Sequence, residues 1–248
     1  MKTRRYSLFV LLAGIATFAS MIFMIAMSGG EIARPVEYPN KEGFTQAIFW
    51  FEMVRSPEEV RSVLGDPGST EGIRLRHAMD MTNRYDFIFM VCYPLLIASL
   101  FLFLDRRLAD DGRRLRYGTA LVTAGACLSA ITMIADAYEN TRLFRLSAYT
   151  DLSNIDPGVI SQLMIATNIK SGAIMIAGLL LVYLYVLYFK KAWGILLPLI
   201  YAVSVAFGTL ALIAGSMRAL IETGATIGMI GWLISTVHGG YWFFKKTS

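Results

Sequence analysis

Residues 86–105 read DFIFMVCYPLLIASLFLFLD, an apolar run that is bounded by two aspartates. A helix rises about 1.5 Å per residue, so a helix over this run is roughly 28 Å long. That length is close to the hydrocarbon thickness of a bilayer, about 30 Å. The run therefore predicts a membrane-spanning helix, with Asp86 and Asp105 at its two membrane boundaries.

Five further apolar runs have similar lengths, so the sequence predicts an all-α bundle of six transmembrane helices in a single membrane domain, residues 1–248. The composition agrees, because 17% of the residues are charged against about 25% in soluble domains. The first run is too long for a signal peptide and is expected to be a retained anchor. The predicted helices are Ser7–Met27, Asp86–Leu104, Tyr117–Ala137, Thr167–Phe189, Gly194–Gly215 and Gly224–Phe244.

The basic residues that flank these runs are concentrated at one end of the predicted bundle. They lie in Lys2–Arg5, in the loop Asp105–Arg116, at Lys190–Lys191 and at Lys245–Lys246. Loops rich in lysine and arginine stay in the cytoplasm. We therefore expect a multi-pass membrane protein with both termini in the cytoplasm. The net charge of +5 then reflects topology, and no nucleic-acid partner is expected.

Residues 28–84 then form an extracytoplasmic insertion between the first two membrane helices. Within it, Gly43–Arg55 (GFTQAIFWFEMVR) is rich in aromatic residues, so we expect it to lie at the membrane interface or to pack on the bundle. Ser56, Pro57 and Glu59 form a helix-start pattern with serine as the N-cap. The insertion is therefore predicted to be helical.

Several polar residues are predicted to lie at one level near the outer membrane boundary. Asp136 is roughly 30 Å along a helix from Arg116, and Lys170 is the same distance from Lys190. Charge beside hydrocarbon is costly, so such residues pair, face protein or mark a functional site. The residues that we expect to form a binding site are Asp86, Asp136, Glu139, Asn140, Asn168 and Lys170.

The third membrane helix carries a polar stripe whose offsets of three and four residues place it on one helix face. The stripe consists of Ser129, Thr132, Asp136, Glu139 and Asn140. We expect this face to look into the bundle, with Asn168 and Lys170 of the fourth membrane helix as partners. The sequence leaves open whether Lys170 pairs with Asp86, Asp136 or Glu139. A purely structural ion pair that ties helices together is the alternative to a binding site.

Residue types that commonly carry metal or redox chemistry are scarce. The histidines are His77 and His238, and the cysteines, Cys92 and Cys127, both lie inside apolar runs. Such cysteines are usually small packing residues. The sequence contains no HExxH, GxSxG or CxxC motif and no phosphate-binding glycine loop. We therefore expect no metal and no cofactor, and the sequence identifies no catalytic residue.

Four stretches of the chain resemble a group of bacterial polytopic integral membrane proteins. They are FEMVRSPEEV (Phe51–Val60), DFIFMVCYP (Asp86–Pro94), ADAYEN (Ala135–Asn140) and NIK (Asn168–Lys170). No activity is known for that group, so the resemblance implies no reaction. It implies a bacterial cytoplasmic membrane as the location, and it suggests that one pattern contains Asp86, Asp136, Glu139, Asn140 and Lys170.

Three functional hypotheses follow from this pattern. The first is that the outer carboxylate–lysine cluster binds a protein partner, a lipid or a small ligand. The second is a transporter or channel with that cluster as its outer vestibule, which predicts a polar cavity running inward past Thr132 and Ser129. The third is a membrane-embedded hydrolase or lipid-modifying enzyme that uses Asp136 or Glu139 as a base. Expected partners are membrane lipids and either a protein partner or a second copy of the chain.

Overall fold

The computed structural model describes residues 2–29, 43–113, 115–188 and 193–245. Within these residues the chain forms eight α-helices, six of which are long and apolar enough to cross a membrane. The prediction of an all-α six-helix membrane bundle is thereby confirmed. The predicted boundary at Phe189 and the basic residues Lys190, Lys191 and Lys246 lie outside the described residues. The helices are α1 (Lys2–Met27), α2 (Ala47–Glu52), α3 (Pro57–Leu64), α4 (Thr70–Asp110), α5 (Gly118–Ala148), α6 (Pro157–Leu187), α7 (Trp193–Ile213) and α8 (Leu220–Phe244).

The six long helices form a closed ring. Helix α1 packs against α4, and α5, α6, α7 and α8 follow in order until α8 returns to α1. Across this ring, α4 also contacts α6 and α8. The ring therefore encloses a central volume that α4, α6, α7 and α8 can all line.

Three of the membrane helices extend well beyond the hydrocarbon thickness. Helix α4 has 41 residues, which corresponds to a length of roughly 60 Å. Its start is capped by Ser69, whose Oγ accepts a hydrogen bond from the Gly72 N–H at 2.9 Å. Helix α6 begins in the same way, since Asp156 Oδ1 accepts from the Gly158 N–H at 2.8 Å. These caps satisfy N–H groups that have no partner within the helix.

Helices α2 and α3 form a small cap at one end of the bundle. We define this outer cap as residues 43–65 and call its end of the bundle the outer end. Ser56 Oγ accepts a hydrogen bond from the Glu59 N–H at 3.3 Å, so the predicted N-cap of α3 is confirmed. Helix α3 ends at Gly65, whose φ of +68° is unfavourable for residues with a side chain. Trp50 and Phe51 of α2 are buried. The cap therefore packs on the bundle, which was one of the two predicted placements.

Two separate apolar cores hold this arrangement together. The outer core joins the cap to the outer ends of the long helices, with Met79 of α4 and Leu163 of α6 among its members. The inner core lies within the ring and contains Met90 of α4 and Ala177 of α6. Asp86 lies between these positions on α4, and Lys170 lies between them on α6, so these two residues are placed between the two cores.

Candidate functional site

The ammonium group of Lys170 is the centre of a carboxylate–lysine cluster at the junction of α2, α5 and α6. Lys170 Nζ lies 3.2 Å from Glu52 Oε2 and 3.3 Å from Asp136 Oδ1, and it forms a close ion pair with Glu139. Of the three partners left open by the sequence, Lys170 therefore pairs with Asp136 and Glu139. Its third partner, Glu52, comes from the outer cap and was not among the predicted site residues.

Neighbouring hydroxyl groups satisfy the remaining oxygens of the buried carboxylates. Tyr93 Oη donates a hydrogen bond to Asp136 Oδ2 at 2.7 Å, and the Thr167 hydroxyl contacts the Glu139 carboxylate. Asp136 and Glu139 are 4% and 0% exposed. Because buried charges need both a counter-ion and hydrogen bonds, Tyr93 and Thr167 are structural members of the cluster.

Asp86 lies beside this cluster but has a different partner. Its Oδ2 accepts a hydrogen bond from Asn140 Nδ2 at 2.6 Å, which ties α4 to α5. Among the described residues, no lysine or arginine forms an ion pair with Asp86. The three carboxylates of the cluster therefore share Lys170, and the neighbouring Asp86 is bound by the Asn140 amide.

Asn168 does not join the cluster, contrary to the expectation that it faces the polar stripe of α5. It is exposed on α6, whereas Lys170 is largely covered. Two positions along an α-helix are separated by about 200° around the axis. When Lys170 points toward α5, Asn168 must therefore point away.

Burial controls the charge of Glu52, which lies in the outer cap beyond the membrane helices. The loss of water around its carboxyl group raises the pKa of Glu52, and attraction to Lys170 offsets this only in part. Asp136 raises the pKa further, because a second negative charge nearby disfavours ionisation. The pKa of Glu52 therefore depends on the charges of Lys170 and Asp136.

A cavity of about 200 Å³ extends inward from the cluster into the centre of the ring. Its outer end is lined by Glu52, Asp86, Asp136 and Lys170. Further in, the walls are mostly apolar and aromatic, with small residues of α7 and α8 on one side. The residues that line this deeper part include Phe89, Tyr93, Ile97, Leu181, Gly208, Gly224 and Trp232.

The polar stripe of α5 does not continue this cavity. Ser129 and Thr132 are 6% and 1% exposed and are absent from the cavity walls. Ser129 Oγ donates to the Gly125 carbonyl of its own helix at 2.8 Å. The polar path that the transporter hypothesis predicts past these two residues is therefore not present, and the cavity instead runs along α4, α6, α7 and α8.

The two histidines lie at opposite ends of the bundle. His77 is exposed in the outer part of α4, whereas His238 is buried near the other end of α8. Trp242 Nε1 donates a hydrogen bond to His238 Nε2 at 3.0 Å, and the ring of Trp193 stacks on His238 at 5.1 Å. His77 and His238 therefore cannot share a metal ion. Within the described ranges, no three histidine, cysteine, aspartate or glutamate residues are grouped to hold one.

Two charged residues, one just before α8 and one in its first turn, bind the cap to the bundle. Glu222 accepts hydrogen bonds from the backbone N–H groups of Thr45 and Gln46 at 3.0 and 2.8 Å. Arg218, which is 1% exposed, pairs with Glu59 at 2.8 Å. No local pattern in the sequence indicates that Arg218 and Glu222 contact the cap.

Comparison of the chain with protein-family models, characterised proteins and solved structures gives no match. The fold and the cavity therefore define a class, a six-helix membrane bundle with an internal cavity under an outer helical cap.

Proposed function

We propose that this protein binds a small amphipathic molecule inside its helix ring, with the carboxylate–lysine cluster as the polar end of the binding site. One observation carries the proposal: Glu52, Asp86, Asp136 and Lys170 line the same cavity that Trp232 lines further in. Ligand sites are typically concave and mostly apolar, with a few polar groups that orient the ligand. This cavity combines both properties.

The size of the cavity limits the ligand. An apolar cavity of roughly 150 Å³ is large enough to bind benzene, and this one measures about 200 Å³. A ligand slightly larger than benzene, with one polar group, matches this volume. A complete phospholipid or a folded protein segment is too large, so we favour a small ligand over the lipid and protein partners that the sequence left open.

The proposed orientation places the cluster on the extracytoplasmic side. Arg4, Arg106 and Arg107 lie at the opposite end of the ring, where Arg107 stacks on Trp242 at 3.7 Å. Because basic residues favour the cytoplasmic side, both termini would be cytoplasmic and the outer cap would face outward. We further propose that the membrane is the bacterial cytoplasmic membrane. A ligand would then reach the cavity from outside, past Glu52.

Transport is the second candidate function, and the depth of the cavity favours it. From Lys170 to Leu181, α6 rises roughly 16 Å, which is about half of the hydrocarbon thickness. Transporters commonly bind their substrates near the bilayer midplane. Transport also requires an inner exit, but Leu184, Tyr185 and His238 are buried below the cavity. Binding is therefore the function that we propose, and transport would require a rearrangement of this inner half.

The test of the proposal is binding of small aromatic probes to the purified protein, measured by ligand-observed NMR. The probes are benzyl alcohol, benzylamine and benzoate. Ala225 lines the cavity, so Ala225→Leu should fill part of it and weaken binding. Ala202→Leu is the matched control, because Ala202 is exposed on α7. The proposal predicts that at least one probe binds to the parent protein and to Ala202→Leu, with a clear loss in Ala225→Leu.

Two results would contradict the proposal. One is the absence of saturable binding for all three probes. The other is equal binding to Ala225→Leu and Ala202→Leu, which would place the probes in the detergent or on the outer surface of the ring. Flux of a bound probe across liposomes that contain the protein would shift the assignment from binding to transport.

A further inference from the structure

The charges at the outer end of the cavity are not balanced. Lys170 is shared by Glu52, Asp136 and Glu139. Asp86 lines the cavity as well, but its partner is the neutral amide of Asn140. Asp86 is half-buried in the cavity wall, and a carboxylate that loses part of its water is stabilised by a nearby positive charge or a proton. The cavity therefore presents an acidic group whose counter-charge is not supplied by the described protein residues.

The wall next to Asp86 is aromatic. Phe89 and Tyr93 follow Asp86 on α4 at offsets of three and seven residues, which place all three on one helix face. The ring centroids of Phe89 and Tyr93 are 4.9 Å apart. The Tyr93 ring stacks on Trp232 of α8 with centroids 5.5 Å apart and an interplanar angle of 16°. A continuous aromatic surface thus leads from Asp86 into the apolar part of the cavity.

A carboxylate beside aromatic rings is the arrangement that proteins use to bind organic ammonium ions. The negative charge attracts the cation, and the electron-rich ring faces stabilise it where water is excluded. A ligand with an anionic group would instead meet Asp86 without a free cation to offset it. With a neutral ligand, the Asp86 carboxyl group would have to be neutralised by a proton instead.

From this geometry we infer that the ligand is a small organic ammonium ion, with its cationic group at Asp86 and its apolar body against Tyr93 and Trp232. The inference rests on the proposed binding function and adds the chemical class of the ligand. Each of the other three carboxylates contacts Lys170. Asp86 forms no ion pair with a described lysine or arginine, so we assign the recognition of the positive charge to Asp86.

The test compares probes that match in shape and differ in charge. Benzylamine, which is protonated at neutral pH, is paired with neutral benzyl alcohol. Choline is paired with 3,3-dimethylbutan-1-ol, the neutral molecule in which carbon replaces the choline nitrogen. Dissociation constants are measured for the parent protein, Asp86→Asn and Asp80→Asn. Asp80 is a matched control on the same helix, because it is bound to Ser147 and does not line the cavity.

We expect at least one ammonium probe to bind about tenfold more tightly than its neutral isostere, which corresponds to about 1.4 kcal/mol. Asp86→Asn should remove this preference while binding of the neutral probe is retained, and Asp80→Asn should leave both unchanged. Equal affinity within both pairs, with binding still lost in Ala225→Leu, would overturn the ammonium inference and leave the cavity-binding proposal standing. Saturable binding of none of the probes would overturn both.

Discussion

The carboxylate of Glu52 lies 3.2 Å from the ammonium group of Lys170, although the two residues are 118 positions apart in the sequence. This contact joins α2 of the outer cap to α6 of the ring. It also places a cap residue at the outer end of the cavity. This ion pair therefore links the cap to the entrance of the cavity.

The first prediction concerns pH. Burial raises the pKa of Glu52, so the folded protein binds this proton more tightly than the unfolded chain. The contribution of Glu52 to the free energy of unfolding should therefore fall as the pH rises from the ordinary glutamate pKa through the raised value. Thermal unfolding of the purified protein as a function of pH should show this slope, and Glu52→Gln should reduce it. Glu71→Gln, at an exposed position, is the control. An unchanged slope in Glu52→Gln would contradict the prediction.

The second prediction concerns the centre of the cluster. Lys170→Met leaves Asp136 and Glu139 buried without their counter-ion, so we expect a loss of about 3–5 kcal/mol in the free energy of unfolding. Glu139→Gln in the same chain should restore part of this loss, because it removes one of the unpaired charges. Lys245→Met, at an exposed position of the C-terminal end, should have little effect. The measurement is denaturant unfolding in detergent. If the changes in the free energy of unfolding caused by Lys170→Met and Glu139→Gln simply add in the double variant, this would argue against the ion pair.

The third prediction concerns the attachment of the cap. Arg218 binds Glu59 through two nitrogen atoms, at 2.8 and 3.1 Å. Such paired contacts are stronger than single ones. Arg218→Met should therefore increase hydrogen exchange in α2 and α3 while α4 stays protected. Arg61→Met is the matched control, since its side chain is 62% exposed and exposed ion pairs contribute little. Unchanged exchange in the cap of Arg218→Met would show that the Arg218–Glu59 pair is not needed to hold the cap.

The fourth prediction concerns orientation. Fusions of alkaline phosphatase, which is active only outside the cytoplasm, should be inactive after Gly112 and after Lys245. They should be active after Asn154 and after Gly215, at the end of the bundle where the cap lies. This pattern follows from the basic residues near α4 and α8. The opposite pattern would place the cap and the cavity entrance on the cytoplasmic side.

Much of the fold follows from patterns that are local in the sequence. The apolar run after Asp86 and the helix signal at Ser56 both depend on neighbouring residues, and both predictions agree with the structure. The predicted length of α4 was too short at its start, because the polar stretch from Thr70 carries no hydropathy signal. The N-cap at Ser69 explains why the helix begins there.

The candidate site depends on how the helices are rotated and on which distant residues meet. The sequence grouped Asp136, Glu139 and Lys170 by depth, and these three do form ion pairs. It included Asn168 because depth carries no information about helix face. It omitted Glu52, although a single acid within the aromatic segment before Met53 is a signal that could have suggested a buried partner. The cavity lies between α4, α6, α7 and α8, and hydropathy does not describe how these helices pack.

The most direct test of the account is a crystal structure of the protein with para-bromobenzylamine, in which the anomalous signal of bromine locates the ligand. The account predicts a bromine peak inside the ring, between Trp232 and Leu181, with the amine directed toward Asp86. It also predicts that the peak is lost in Ala225→Leu. A peak confined to the outer surface of the ring, or a cavity without bromine at a saturating concentration of the probe, would contradict the claim that this cavity is a ligand-binding site.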